Sequence, residues 1–208
     1  MRPFSSNPKR SHELAFRRIV RYLKATSSQG YILRPSSSRN LDCFVDADFA
    51  GTWTPTDSDD PSSVKSRTGY VITFASCPVL WSSKLQTEIA LSTTEAEYIA
   101  LSQATRDLIP MRGLLQELSK ATKLIVGSTF AHSTIFEDNQ GCVELAGAPR
   151  LRPRTRHIAI KYHHFRSHVE NGSIKIVWID TKHQLADIFT KPLSASSFQP
   201  LRSSLLGW

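Results

Sequence analysis

What most constrains this chain is the order in which its hydrophobic periodicities change. Leu41-Asp42-Cys43-Phe44-Val45-Asp46 alternates as a strand does. Residues 69–75 and 79–83 read as two more strands joined by a turn near Pro78, a hairpin. The period then becomes helical. From near Thr94 onward, Leu101, Ala104, Leu108, Met111, Leu115 and Leu118 fall on one stripe, with Pro110 as a point of kinking. Ser133–Glu137 is a short strand, and a short helix follows Gly141. Residues 156–170 predict a second amphipathic helix, with Ile158, Tyr162, Phe165 and Val169 on its apolar stripe and Asn171-Gly172 as its stop. Residues 173–179 form a β-branched strand, and Thr181-Lys182-His183-Gln184 fits a capping box opening a last helix. Strands that precede, interrupt and follow helices share a sheet with helices on its faces, so the expected class is α/β with a mixed sheet.

Residues 9–25 predict a separate helix, with Leu14, Phe16, Ile19, Val20 and Leu23 on one side and arginines on the other. Residues 34–40, rich in Ser and Arg, read as a linker and place a boundary there. With 208 residues and 40% hydrophobic content, the chain is long enough to bury a core. No run of ~18 apolar residues occurs, and the first residues lack the apolar stretch of a secretory signal. No membrane partner is expected. Cys43, Cys77 and Cys142 are far apart and form no CxxC pair, so a disulfide scaffold or cysteine zinc site is not expected and a reducing compartment fits.

The net charge is +8, and its distribution is uneven. Arg2, Lys9, Arg10, Arg17, Arg18, Arg21 and Lys24 crowd the first segment, and Arg150, Arg152, Arg154, Arg156, Lys161 and Arg166 a later one. The middle is more acidic. Basic flanks around an acidic centre suit either a phosphate backbone held over a metal site or two solvated faces.

Several acids stand where packing does not want them. Glu97 lies one turn before Leu101 on the apolar stripe, pointing inward, while Glu95 should face solvent. A Thr94-x-x-Glu97 capping box is the alternative role. Asp46 ends the first strand, sharing a face with Asp42 and Phe44, or introduces the loop that follows. Asp138 ends the fourth strand or N-caps the next helix. Asp187 sits on the last helix, where a charge near an N-terminus is favourable in itself. Four converging carboxylates would repel; two charges ~4 Å apart cost about 4 kcal/mol at an effective dielectric near 20. Two Mg²⁺ ions turn the same set into a clamp on a phosphodiester, and hard oxygen ligands suit Mg²⁺ or Mn²⁺.

The motifs Val45-Asp46-Ala47-Asp48-Phe49-Ala50-Gly51, Ser66-Arg67-Thr68-Gly69-Tyr70, Trp81-Ser82-Ser83-Lys84, Leu91-Ser92-Thr93-Thr94-Glu95-Ala96-Glu97-Tyr98, Glu137-Asp138-Asn139-Gln140, Arg156-His157-Ile158 and Ala186-Asp187-Ile188-Phe189-Thr190-Lys191-Pro192-Leu193 occur in this order. Together they resemble the C-terminal ribonuclease H region of copia-type LTR retrotransposon Pol polyproteins, from near residue 12 to the end. The resemblance implies a ribonuclease H-like fold: a five-stranded mixed sheet, three strands antiparallel, flanked by helices and preceded here by a short N-terminal helix. It divides the chain into 1–35 (tail of the reverse transcriptase), 36–193 (ribonuclease H domain) and 194–208 (C-terminal tail). It implies cleavage of the RNA strand of an RNA–DNA hybrid during reverse transcription. Asp46, Glu97, Asp138 and Asp187 match its catalytic and metal-binding acids, with two Mg²⁺ ions that Mn²⁺ can replace. Thr93, Thr94 and Gln140 fall where relatives touch the hybrid. The implied partners are that hybrid and the reverse transcriptase portion of the same polyprotein, in the cytoplasm, the nucleus or a virus-like particle.

Some features depart from the pattern. Many ribonucleases H carry a histidine on a loop before the last aspartate; His183 lies only four residues ahead of Asp187 and reads as a surface residue or a partial substitute. The loop 51–67 is long. His164 and His168, at i and i+4, could pair on a metal, but no third ligand is evident and a solvated or nucleic-acid-facing helix fits better. A catalytically inactive remnant that binds nucleic acid is the alternative function.

Overall fold

The computed structural model describes residues 8–51, 53, 63–122, 132–148 and 163–208. The chain divides into two compact units, residues 1–32 with Trp208, and 33–207. In the first, α1 (Arg10–Ala25) forms as its periodicity predicts, and an exposed Glu13–Arg17 pair at 2.7 Å spans one turn. None of its residues is buried; Leu14, Phe16 and Leu23 stay more than half exposed.

The second unit is built on a five-stranded sheet in the order β3-β2-β1-β4-β5. Its strands are β1 (Leu41–Asp48), β2 (Arg67–Phe74), β3 (Cys77–Leu85), β4 (Ser133–Glu137) and β5 (Ile174–Trp178). β1, β2 and β3 run antiparallel in turn, while β4 lies parallel to β1 and β5 parallel to β4. This five-stranded mixed sheet, with three strands antiparallel and helices flanking it, is the arrangement that the sequence resemblance implies.

The hairpin turn is Ala75-Ser76, not Pro78. Both residues have positive φ, at 50° and 65°, which matches the twist of the flanking strands. Pro78 lies inside β3, an edge strand, beside a register shift at Ile72/Thr73; a missing N–H is tolerated at such a place.

α2 (Thr93–Thr122) runs 30 residues and continues through Pro110, which is exposed. Its Tyr98, Ile99, Leu101, Ala104 and Leu108 are buried in one cluster with Leu41, Cys43, Val45 and Ala47 of β1, Ile135 of β4 and Ile174 of β5. Each large side chain so buried contributes about 1.5–3 kcal/mol. α3 (Gln140–Gly147) follows β4. Of the predicted helix 156–170, residues 156–162 lie outside the described residues, as does most of the second basic cluster. The remainder is a 3₁₀ turn (His163–Phe165) running into α4 (Arg166–Glu170), whose approach seats Phe165 against Tyr98 with ring centroids 5.4 Å apart.

After β5 come a single-turn helix α5 (Asp187–Thr190) and α6 (Ala195–Leu206). α6 is capped by Ser194 and closed by Gly207 at φ 83°, and it buries Leu201 and Leu205. The three cysteines are free.

α5 packs on β2 at Gly69, the residue paired with Asp46 across the ladder. A Cβ at Gly69 would lie 2.5 Å from Thr190 Cγ2 and 2.9 Å from Phe189 Cβ. Glycine is required here by the close approach of the helix. Gly69→Ala should cost about 1–3 kcal/mol through overpacking and push α5, with Asp187, away from Asp46. A melting temperature equal to the parent's would show that α5 does not press on β2.

Candidate metal centre

Asp46 is fully buried near the end of β1, on the face where Phe44 stacks on Phe136 at 4.7 Å. Asp138 follows β4, the parallel neighbour of β1, so topology alone brings both acids to one sheet edge. The β1–β4 pairing runs from Asp42↔Thr134 to Phe44↔Phe136. Just beyond, the buried Gln184 donates through Nε2 to Val45 O at 2.8 Å and to Phe136 O at 3.3 Å, while its Oε1 accepts from Ala186 N at 3.2 Å. One side chain thus joins the two strands to the start of α5. Gln184 therefore does not cap a helix: Thr181–His183 is a 3₁₀ turn capped by Asp180. The result is that one carboxylate oxygen each from Asp46, Asp138 and Asp187 lie within 4.8 Å of one another.

A cation of the chain's own stands beside this trio. Lys191 Nζ donates to Asp46 Oδ1 at 2.9 Å and to Asp187 Oδ1 at 2.8 Å. The Thr190 hydroxyl donates to the other Asp46 oxygen. Asp138 Oδ2 accepts from Thr181 Oγ1 at 2.7 Å, and its carbonyl accepts from Trp178 Nε1 at 3.0 Å. The cap on α3 is Asn139, whose Oδ1 accepts from Cys142 N at 2.9 Å, so Asp138 is not used as an N-cap.

A second group adjoins the first. Oxygens of Glu97, Glu137 and Asp138 also lie within 4.8 Å of one another. Glu97 points inward as the helical stripe predicts. The capping role falls to the preceding turn: Glu95 N donates to Ser92 Oγ at 3.1 Å, and Glu95 Oε2 accepts from Leu91 N at 2.8 Å. Glu95 is therefore buried rather than solvent-facing, because its carboxylate folds back over the helix start. Glu137, buried at the end of β4, was not singled out from the sequence as a site residue.

Among the described residues, these five carboxylates have the Lys191 ammonium beside them. Burial lifts the Glu97 carboxyl well above the ordinary 4.5, the charges of Glu137, Asp46 and Asp138 lift it further, and Lys191 opposes them. Glu137 is also raised by burial; the Asn139 N–H opposes this, Asp138 and Asp46 add to it and Lys191 opposes. Asp187 too stands above its usual value, because burial with the charges of Asp46 and Asp138 outweighs the bond from Lys191. Lys191 is itself held protonated by Asp46 and Asp187 against the effect of burial.

The folded chain therefore binds protons here more tightly than the unfolded chain does. The stability that the raised carboxyls contribute is complete below pH 4.5 for Glu97 and Glu137 and below 3.8 for Asp187, and is lost as pH rises through their folded values. A divalent cation removes that loss. The rise in melting temperature produced by Mg²⁺ over chelator should accordingly grow from pH 4.5 toward neutrality; a rise that stayed constant would contradict the assignment of these carboxylates to a cation site.

The residues fit such an ion. Glu97 Oε2 and Glu137 Oε2 are buried without a hydrogen-bond partner, and an all-carboxylate donor set suits Mg²⁺ or Mn²⁺. Thr93 and Gln140 are exposed at the starts of α2 and α3, and Thr94 is half-buried between them; a Cβ on Gly141 would lie 3.1 Å from Thr94 Oγ1. His183 is exposed. His164 and His168 lie beside hydroxyls, with Thr105 Oγ1 3.2 Å from His164 Nε2 and Ser173 Oγ 3.3 Å from His168 Nδ1.

No protein-family model matches the chain. The retrovirus-related Pol polyprotein from transposon RE1 of Arabidopsis thaliana is 36% identical over 203 residues, covering 97% of this chain and 13% of that polyprotein. The corresponding polyprotein from transposon TNT 1-94 of Nicotiana tabacum is 35% identical over 196 residues, 94% of this chain and 14% of its own length. The chain thus spans a small part of these relatives. Among solved structures, the N-terminal ribonuclease H domain of a Mycobacterium tuberculosis protein aligns with a TM-score of 0.49 at 13% identity, covering 78% of this chain and 99% of that one. LC11 ribonuclease H1 in complex with an RNA/DNA hybrid aligns with a TM-score of 0.45 at 17% identity, covering 73% and 94%. Over nearly its whole length the chain is thus similar to one stretch of the retrovirus-related Pol polyproteins of copia-type transposons.

Proposed function

We propose that this chain hydrolyses the RNA strand of RNA–DNA hybrids, acting within retrotransposon reverse transcription beside the reverse transcriptase portion of its polyprotein. The observation that carries the reading is the convergence of Asp46, Asp138 and Asp187 within 4.8 Å at one sheet edge, with Glu97 beside them. Asp46, Asp138, Asp187 and Glu97 would hold two Mg²⁺ ions, or Mn²⁺ in their place. Such a pair supplies water activation on one side of a phosphodiester and charge stabilisation of the leaving oxygen on the other.

The chain's own groups do the positioning. Thr181 orients Asp138, Thr190 orients Asp46, and Gln184 fixes the spacing between β1, β4 and α5. Lys191 balances part of the negative charge until the ions arrive. Thr93, Thr94 and Gln140 form a polar rim suited to the wide, shallow minor groove of a hybrid, where the 2′-OH marks the RNA strand.

The test is cleavage of an end-labelled hybrid in Mg²⁺ against duplex DNA and single-stranded RNA. Hybrid cut, both controls intact and activity abolished by chelator would support the assignment. Failure to cut the hybrid in either Mg²⁺ or Mn²⁺ at low salt would count against it for this chain.

A further inference from the structure

We propose that Glu137 is a fifth carboxylate ligand, and that with Glu97 and Asp138 it forms the site at which the protein, free of nucleic acid, takes its first divalent cation. The proposal rests on the cation-binding reading of Glu97 and Asp138 and adds to it a residue and an order of filling.

The argument starts from β4. Alternation along Ser133–Glu137 buries Ser133, Ile135 and Glu137. Ile135 packs in the core, and the same register calls for an apolar residue at 137. Glu137 is instead fully buried there, near the buried Glu97 of α2. Burying one carboxylate is costly, and burying two together more so, unless something compensates them.

What the protein supplies is incomplete. Glu137 accepts from Asn139 N at 3.0 Å. Its Oε2 has no partner, nor has Glu97 Oε2. Both side chains, together with Asp138, offer oxygens within 4.8 Å of one another, close enough to share one ion.

The order of filling follows from Lys191. Its ammonium sits on Asp46 and Asp187, so an ion entering on that side must displace an existing charge pair. Among the described residues no lysine or arginine bonds Glu97 or Glu137. An ion entering on their side displaces nothing and relieves the repulsion between two buried acids.

The experiment is Mn²⁺ titration of the whole chain without nucleic acid, followed by calorimetry and by the electron spin resonance of unbound Mn²⁺. Glu137→Gln keeps the shape and can still accept from Asn139. It should weaken the tightest Mn²⁺ site by at least about tenfold, since loss even of groups that merely support a ligand costs 10–100-fold. Its metal-free melting temperature should be no lower than the parent's. Glu137→Asp, which withdraws the carboxylate by one methylene, should weaken the same site and stands in if the glutamine variant does not fold. Asp187→Asn should leave the tightest site in place.

Three results would overturn the proposal. Mn²⁺ affinity could be indifferent to Glu137, as when the two glutamates simply share a proton. The tightest site could instead be lost in Asp187→Asn. The parent chain could bind no Mn²⁺ at all. Because these readouts need no substrate, they separate from the nuclease reading: Glu137-dependent binding without hybrid cleavage supports the ligand and counts against the activity, and cleavage with Glu137-independent binding does the reverse.

Discussion

Asp138→Asn is expected to slow Mg²⁺-dependent hybrid cleavage by roughly a thousandfold, because several kcal/mol of charge stabilisation would depend on the ions we propose it helps hold and each ~1.4 kcal/mol is a factor of ten. Asp138 is the acid common to both carboxylate groups, so its charge would serve either proposed ion position. The substitution is close to isosteric. Asparagine can still accept from Thr181, and removing a charge from a crowded acidic site should not lower the metal-free melting temperature. A large loss of rate with an unchanged or higher melting temperature would therefore locate the defect in chemistry and not in folding. Retention of more than a tenth of the parent rate would remove Asp138 from the machinery.

The second large effect concerns Lys191. It is the cation bonded to Asp46 and Asp187, and the Asp46 side chain is wholly enclosed. Lys191→Met keeps the length of the side chain and takes away its charge. Breaking a buried pair typically costs 3–5 kcal/mol; with Lys191 itself 32% exposed, about 3 kcal/mol is expected, or roughly 6–12 °C for a domain of this size. The loss should appear in chelator and shrink in millimolar Mg²⁺, when a divalent cation takes over the role. A loss of the same size with and without Mg²⁺ would mean that lysine and ion do not share the Asp46–Asp187 side.

These two residues show where sequence reasoning reached and where it stopped. Asp138 was legible because it interrupts a pattern: an acid at the end of a β-branched strand has few structural uses, and Asn139 proves to hold the capping role. Glu97 was legible for the same reason, as a charge on an otherwise apolar helical stripe. Lys191 belongs to the last of the sequence motifs, and nothing local to it marks a role. Its proximity to Asp187 is local, four residues along the chain, but its bond to Asp46 spans 145 residues and no periodicity encodes it. Glu137 broke the alternation of β4 and carried the same kind of signal as Asp138. From sequence alone it is masked by Asp138 next to it, although adjacent strand residues point to opposite faces.

The other misses have similar causes. The helix α6 is written in serines with Pro200 in its middle, so propensity argues against it, and the burial of Leu201 and Leu205 decides the matter. The turn Ala75-Ser76 lacks the Gly or Asn that usually marks left-handed residues, so Pro78 drew the reading instead. Gln184 looked like a capping residue because its spacing from Thr181 satisfies the local pattern, yet its partners are carbonyls on β1 and β4.

By itself the sequence determined the class of fold, the order of strands and helices, and which acids do not belong to a core, because periodicity and its violations are local properties. Only the tertiary structure decided which carboxylates share an ion-sized space, which of them already has a lysine beside it, and that a glutamine holds the two strands at their separation. Those are contacts between residues far apart in the chain, set by how the sheet and α5 come together at Gly69.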